Sequence, residues 1–351
     1  MSTTIESVTA SIAEHAAHAP EFAPRRFFSN GHLQTILGNF LPRTHSLPPA
    51  ESVLVEVSPT TNTHIASQVR CDCHWQPAEV RAARPTAIIV HGLEGSSTSQ
   101  YVIGNANKLW QTGANIIRMN MRNCGGTEAL TPTLYHSGLS TDVEAVMHHF
   151  VALFSLTSIS LIGYSMGGNL VLKLAGDLAA SAPPQLRSVI GISPAIDLGP
   201  SADALHAPQN RIYEMKFLRD LLARYLRKAA LFPQTYDPAL ARAIRSIRQF
   251  DDRVTAFYSG FTGADDYYHR AAAARVLDRI AVPTLILNAA DDPFVRILPD
   301  SREKIAANTN ITFLETTHGG HCAFLTTPVD GYDGYWAEHT LLRFLLSKSA
   351  S

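Results

Sequence analysis

The chain has 351 residues, room for one large domain or two small ones, and 46% hydrophobic against 17% charged residues excludes a disordered protein. A formal net charge of −1 excludes general electrostatic attraction to nucleic acid or to an anionic membrane, so only local basic clusters remain.

Residues 1–20 are rich in Ala, Ser and His and read as a weakly ordered lead-in. They hold Glu6 and Glu14, no Lys or Arg and no continuous apolar stretch, so they are not a secretory signal. No apolar run approaches the roughly 20 residues a membrane span needs. The expectation is a soluble, cytoplasmic protein without a transmembrane segment. Next, Phe22 to Ile36 reads as a docked arm built around an Asn30-Gly31 turn, with His32 as a packed structural histidine.

Val53–Val57 and Thr63–Trp75 read as an antiparallel strand pair. Within the second, Cys71-Asp72-Cys73-His74 invites a zinc reading, but no second ligand pair stands at suitable spacing. On a strand the two thiols share one face, and the structural reading is preferred; no metal is expected. The other two cysteines, Cys124 and Cys322, do not make up a disulfide framework.

Thr86–Val90 is a continuous β-branched run, the mark of a strand covered on both faces in a parallel sheet. It ends in His91-Gly92-Leu93-Glu94-Gly95, a loop at the strand end where open α/β sheets place ligands. The Leu93 amide is a candidate oxyanion donor there, and Glu94 reads as a solvated or structural carboxylate. A helix over Asn105–Gln111, a strand over Asn115–Met119, a glycine loop with a structural Cys124 and a helix over Ser140–Phe154, capped by Thr141, follow in turn.

Ser160 to Leu170 is the stretch that organises the chain: strand, sharp turn, helix, with Gly163-Tyr164-Ser165-Met166-Gly167 at the turn. The flanking glycines permit a strained backbone that lifts the Ser165 hydroxyl clear of the sheet. The Met166 amide falls at a helix N-terminus, suited to developing negative charge. Arg187–Ile192 is a further buried strand. Strand and helix thus alternate from about residue 86 to 192, the pattern of an α/β fold with right-handed crossovers.

Between residues 198 and 265 the rhythm turns helical, which suits a lid over the mouth of a site. Ile212, Met215, Leu218, Leu222, Tyr225, Leu226 and Ala229 are spaced along one apolar face. Arg211, Lys216, Arg219, Arg224, Arg227 and Lys228 read as the opposite, solvated face, with peripheral contact to an anionic lipid surface as the sharper reading. Helical stretches over Leu240–Ile247 and Ala271–Arg279, strands over Thr284–Asn288 and Ile311–Glu315, and a terminal helix over Tyr335–Leu346 complete the chain. The two strands end in Asp291-Asp292-Pro293 and in His318-Gly319-Gly320-His321.

A serine hydroxyl is a poor nucleophile at neutral pH and needs a base, which in turn needs an orienting carboxylate. Ser, Asp and His stand here in that order, each beyond a strand end, which is the chain order expected of α/β-hydrolases. His321 is preferred to His318 because Gly319-Gly320 frees the backbone before it. Asp291 and Asp292 compete for the carboxylate. Counted from Pro283, Asp292 falls where the acid of these enzymes usually lies, and it is preferred.

Asn30-Gly31-His32-Leu33-Gln34-Thr35, His91-Gly92-Leu93-Glu94-Gly95, Gly163-Tyr164-Ser165-Met166-Gly167-Gly168-Asn169, Asp291-Asp292-Pro293-Phe294 and His318-Gly319-Gly320-His321 together resemble the YheT-like branch of the α/β-hydrolases. Eukaryotic abhydrolase-domain lipases and phospholipases belong to the same wider group. The resemblance covers the chain after residue 20. It implies a mostly parallel sheet flanked by helices, a helical lid over about 198–265, and a hydrolase of short-chain or lipid-derived carboxylic esters. It carries Ser165, Asp292 and His321 over as the triad, beside the Leu93 and Met166 amides, and calls for no cofactor. Amide or thioester cleavage by the same triad, and a non-catalytic binding protein on this fold, are the alternatives.

Overall fold

The computed structural model describes residues 21–61, 65–329 and 331–349, so the lead-in expected over residues 1–20 lies outside the described residues. Eight strands, β1 (Glu51–Ser58), β2 (Ser67–His74), β3 (Thr86–Val90), β4 (Asn115–Met119), β5 (Ile159–Tyr164), β6 (Leu186–Ile192), β7 (Thr284–Ala289) and β8 (Ile311–Thr316), form one sheet. Their spatial order is β1-β2-β4-β3-β5-β6-β7-β8. β1 and β2 pair antiparallel, as does β2 with β4, and every later pair is parallel.

Helices of eight residues or more among the described residues are α1 (Gly31–Phe40), α2 (Gln100–Gln111), α3 (Ser140–Phe154), α4 (Met166–Leu178), α5 (Leu198–His206), α6 (Arg211–Leu231), α7 (Ala264–Ala271), α8 (Pro299–Ala307) and α9 (Trp336–Ser349). They cover both faces of the sheet. Val143, Val146, Met147 and Phe150 of α3 join Leu170 and Val171 of α4 in the core on one side. Val102, Ala106 and Leu109 of α2 meet Leu341 and Leu342 of α9 on the other. Every residue of β3, β4 and β7 is buried, which is why these strands are largely apolar with no alternation, the polar Asn115, Arg118, Thr284 and Asn288 being buried with the rest.

The topology fixes where a ligand goes. β3 lies between β4 and β5, so the chain leaves β3 toward one edge and later returns on its other side as β5. The loops after β3 and β5 therefore diverge and open a crevice at their carboxyl ends.

Four expectations are corrected. Asn30 does not make a free turn; its side-chain oxygen accepts the Leu33 amide and caps α1. Thr141 does not cap α3, whose cap position is Leu139 without a side-chain bond. The helix expected over Ala271–Arg279 does not form: α7 ends at Ala271, and two short 3₁₀ turns follow, Ala273–Arg275 and Leu277–Arg279. Likewise Leu240–Ile247 is not one helix: the 3₁₀ stretch Pro238–Ala243 ends within it, and a separate short helix starts at Ile247.

The faces of α6 are also not those the periodicity suggests. Ile212 and Met215 are 77% and 62% exposed, while Arg224 and Lys228 are buried. Beneath α6 lies a polar loop surface, and there Lys228 donates to Asn123 Oδ1 and to the carbonyls of Glu128 and Thr131. Fixed acceptors offset part of the cost of burying such a group, so polar does not mean solvated on this helix.

Candidate active site

β5 delivers Ser165 to the crevice. Its backbone sits at φ 54° and ψ −117°, outside the regions an L-residue ordinarily adopts. The neighbours explain how the strain is held. A Cβ on Gly163 would overlap the Gly167 carbonyl, and one on Gly167 would overlap the carbonyls of Val90 and His91. Strand, turn and helix pack backbone to backbone. The Ser165 amide donates to the Ile192 carbonyl at 2.9 Å, and the Ser165 carbonyl accepts from Asn169 and Ala195. Its hydroxyl faces the cleft and bonds to no described residue.

β3 delivers the opposing loop. A Cβ on Gly92 would stand 3.1 Å from the Ser165 Cβ, so the loop lies against the serine with only a hydrogen between them. His91 pins it. Its Nδ1–H donates to the Gly92 carbonyl at 2.7 Å, and its Nε2 accepts the Met121 amide at 3.1 Å, which requires the neutral ring. Burial pushes this imidazole down to about 4, in keeping with that tautomer. The Tyr101 hydroxyl accepts the Gly92 amide at 2.9 Å. The Leu93 and Met166 amides donate to no acceptor among the described residues, and both residues line the cavity beside Ser165.

β7 and β8 supply the remaining pair. His321 Nδ1–H donates to Asp292 Oδ2 at 2.7 Å, with the two side chains 10% and 1% exposed. Asp292 Oδ1 accepts the amides of Phe294 and Val295 at 3.0 and 2.9 Å, so its orientation is set by backbone. Asp291 goes elsewhere: Oδ1 takes the Gly320 amide at 2.8 Å and Oδ2 faces His318 Nδ1 at 3.4 Å. Burial favours the neutral His321 ring, but the adjoining Asp292 charge and hydrogen bond outweigh it and hold the imidazole above the usual histidine range. The ring lies against Phe294, with centroids 4.3 Å apart.

Two cavities meet at Ser165. One lies under α6, with about 1010 Å³ of empty space counting its mouth, and is walled mainly by apolar residues including Leu205, Leu221, Phe250 and Val295. The other is a groove between α1 and α6, lined by Ile36, Phe40, Ile212 and Tyr213, and it holds His321.

Residues 85–328 match the family described as alpha/beta hydrolase fold. YheT of Escherichia coli (strain K12) is 30% identical over 91% of this chain and 91% of its own. The chain belongs to the YheT-like branch of the α/β-hydrolases. Phospholipase ABHD3 of Mus musculus is 31% identical over 70% of this chain and 59% of its own. Among solved structures, Est1E from Butyrivibrio proteoclasticus has a TM-score of 0.52 at 16% identity, covering 87% of this chain and 100% of that one; the likeness there is of fold.

Around the crevice of this α/β-hydrolase stands Thr35, to which no role was assigned from the sequence. Thr35 of α1 accepts the His321 amide at 2.8 Å and donates to the Gly31 carbonyl at 2.6 Å, so the amino-terminal arm holds the histidine loop. Its signal was the Asn30–Thr35 stretch itself, legible as a motif and silent as to purpose. Glu94, read as solvated or structural, is buried in an ion pair with Arg224. Cys124 is buried, and burial pushes its thiol up to about 12, which leaves no reactive thiolate. Cys71 and Cys73 are both buried on one side of β2. Among the described residues, no group of three or more His, Cys, Asp and Glu could hold a metal ion, and no helix is long and apolar enough to cross a membrane.

Proposed function

We propose that the protein is a serine hydrolase of carboxylic esters. The observation carrying this reading is the His321–Asp292 bond of 2.7 Å on a groove that also holds the strained Ser165. With Nδ1 committed to Asp292, the free Nε2 lone pair is the basic site of the ring. His321 takes the Ser165 proton as Oγ bonds to the ester carbonyl carbon, and the carbonyl oxygen becomes an oxyanion facing the Leu93 and Met166 amides. Collapse breaks the C–O bond, and His321 returns the proton to the departing alcohol. Water, deprotonated by His321, then releases the acid and restores Ser165. The open Ser165 hydroxyl suits a free enzyme, where catalytic hydrogen bonds commonly tighten only with substrate bound.

Because the alcohol takes its proton from His321, the groove holding that residue suits the alcohol arm. The cavity under α6 then takes the acyl arm, and its apolar walls suit a hydrocarbon chain. In this reading the segment 198–265 is the lid. Peripheral lipid contact, if lid-borne, belongs to the exposed Ile212 and Met215 beside Ile36 and Phe40 and not to the buried Arg224 and Lys228.

A fluorophosphonate probe should label the protein covalently, and p-nitrophenyl esters should be hydrolysed. Ser165→Ala should abolish both. Equal labelling of the folded variant and the wild type would overturn the reading.

A further inference from the structure

The mainly apolar cavity under α6 contains a carboxylate that a hydrocarbon chain does not explain. Asp251 is the first residue of a π-helical turn, Asp251–Ala256, and lines the same cavity as Ser165. Such turns are rare and frequently sit at functional sites. The same cavity is lined by Leu205, Leu221, Ile247 and Phe250.

Its partners leave the carboxylate half satisfied. Oδ1 accepts the Thr255 hydroxyl at 2.8 Å and Oδ2 the Tyr268 hydroxyl at 2.7 Å. A carboxylate offers about four lone-pair positions, so roughly two remain. No cation contacts it among the described residues: Arg248, whose charge acts on it, is bound to Asp203 at 3.0 Å and to Asp265. Burial pushes Asp251 up to about 6, which still leaves it largely ionised at neutral pH. The Tyr267 hydroxyl, also in the wall, is committed to the Ser137 amide and hydroxyl. Asp251 is thus the carboxylate among the described lining residues, with acceptor capacity to spare. A purely hydrocarbon occupant would strand that capacity away from water, at a cost, whereas a donor on the ligand would fill it.

We infer that this cavity selects an acyl arm carrying a hydroxyl group, received by Asp251, so that Asp251 is a specificity residue and the substrate is a hydroxylated acyl ester. The inference rests on the ester-hydrolase reading and on the assignment of this cavity to the acyl arm. A hydroxyl suits the site because it can donate to a carboxylate with free lone pairs, set in a wall that is mainly apolar. Sites built to bond a substrate hydroxyl discriminate sharply against analogues lacking it, because their own polar group is then left unpaired.

The test compares p-nitrophenyl esters of straight-chain acids with their ω-hydroxy counterparts over a matched series of lengths. At the length that reaches Asp251, kcat/KM should favour the hydroxy ester by about tenfold or more. Asp251→Leu should erase or invert that ratio, and the isosteric Asp251→Asn should reduce it, which keeps the test open if the leucine variant does not fold. A ratio near one at every length, or one that survives in the folded variants, would overturn the inference. Calorimetric binding of the free ω-hydroxy and parent acids to Ser165→Ala separates this outcome from failure of the hydrolase reading, because binding needs no turnover. Tighter binding of the hydroxy acid supports the site even without hydrolysis, and equal binding removes it.

Discussion

Arg224 of α6 closes its guanidinium on Glu94, the residue after Leu93 in the loop beyond β3: Nε meets Oε1 at 2.9 Å and Nη2 meets Oε2 at 2.9 Å. Both side chains are buried, and the Tyr135 hydroxyl donates to the same carboxylate. Glu94 itself holds φ 57°. The helix over the cleft is therefore fastened to the loop whose neighbouring amide is the proposed oxyanion donor.

Arg224→Met leaves the Glu94 charge buried without its partner. Loss of one member of such a pair costs about 3–5 kcal/mol. We expect a drop of that order in urea-unfolding free energy, and a fall in kcat/KM beyond it as the Leu93 amide loses its position. Arg224→Lys should recover little, since an ammonium cannot bond both carboxylate oxygens in the planar fork. Unchanged stability and turnover in Arg224→Met would show that the loop holds itself.

The His321–Asp292 pair predicts a pH profile. Burial pushes the imidazole down, but the Asp292 charge outweighs it and favours the protonated ring. The base form needed to activate Ser165 then accumulates only as pH rises through a pKa above the ordinary histidine value. The acid limb of kcat/KM should lie correspondingly high. Asp292→Asn removes the charge, so the limb should move to lower pH while turnover falls by about 10³–10⁴-fold, as expected when the tautomer is no longer held. Asp291→Asn should leave the limb in place, because Asp291 bonds Gly320 and lies by His318. A shift in the second variant and none in the first would reverse the assignment.

The central strands were legible almost to the residue because burial on both faces writes a largely apolar run, unbroken after Thr86 in Thr86–Val90 and interrupted only by Arg118 after Asn115 in Asn115–Met119. Ser165 was legible for a different reason: its strained turn excludes side chains at Gly163 and Gly167, and that exclusion marks the sequence. What remained hidden depends on partners distant in the chain. Arg224 and Lys228 follow a helical period that also fits a solvated face, and only the acceptors at Glu94, Asn123 and Thr131 decide that they point inward. Asp251 carries no local signal at all, since its meaning comes from the cavity it faces.

Thr35 links α1 to the histidine loop through one hydroxyl, which accepts from the His321 amide and donates to the Gly31 carbonyl. Thr35→Val preserves the shape and removes both bonds, leaving the His321 amide without its acceptor. A stability loss of about 1–3 kcal/mol is expected. If the hydroxyl positions His321, kcat should fall with little change in KM, and Thr35→Ser should restore it. A stability loss with unchanged kcat would confine Thr35 to anchoring the arm.

Lys228 offers a linkage test of how α6 is held. Burial pushes its amine down to about 7, with Glu128 opposing and Arg122 assisting that shift. The unfolded chain keeps an ordinary lysine, near 10.4. Between those values the unfolded state binds more protons than the folded one, so folding stability should rise with pH. The three oxygens around Nζ pull the other way, since together they can occupy every hydrogen of the charged form. Lys228→Met removes the titration, so the stability difference between wild type and variant isolates it. That difference, from urea unfolding at a series of pH values, should grow in favour of the wild type from about pH 7 toward pH 9. A flat difference across that range would mean that the three acceptors keep Lys228 charged inside the fold.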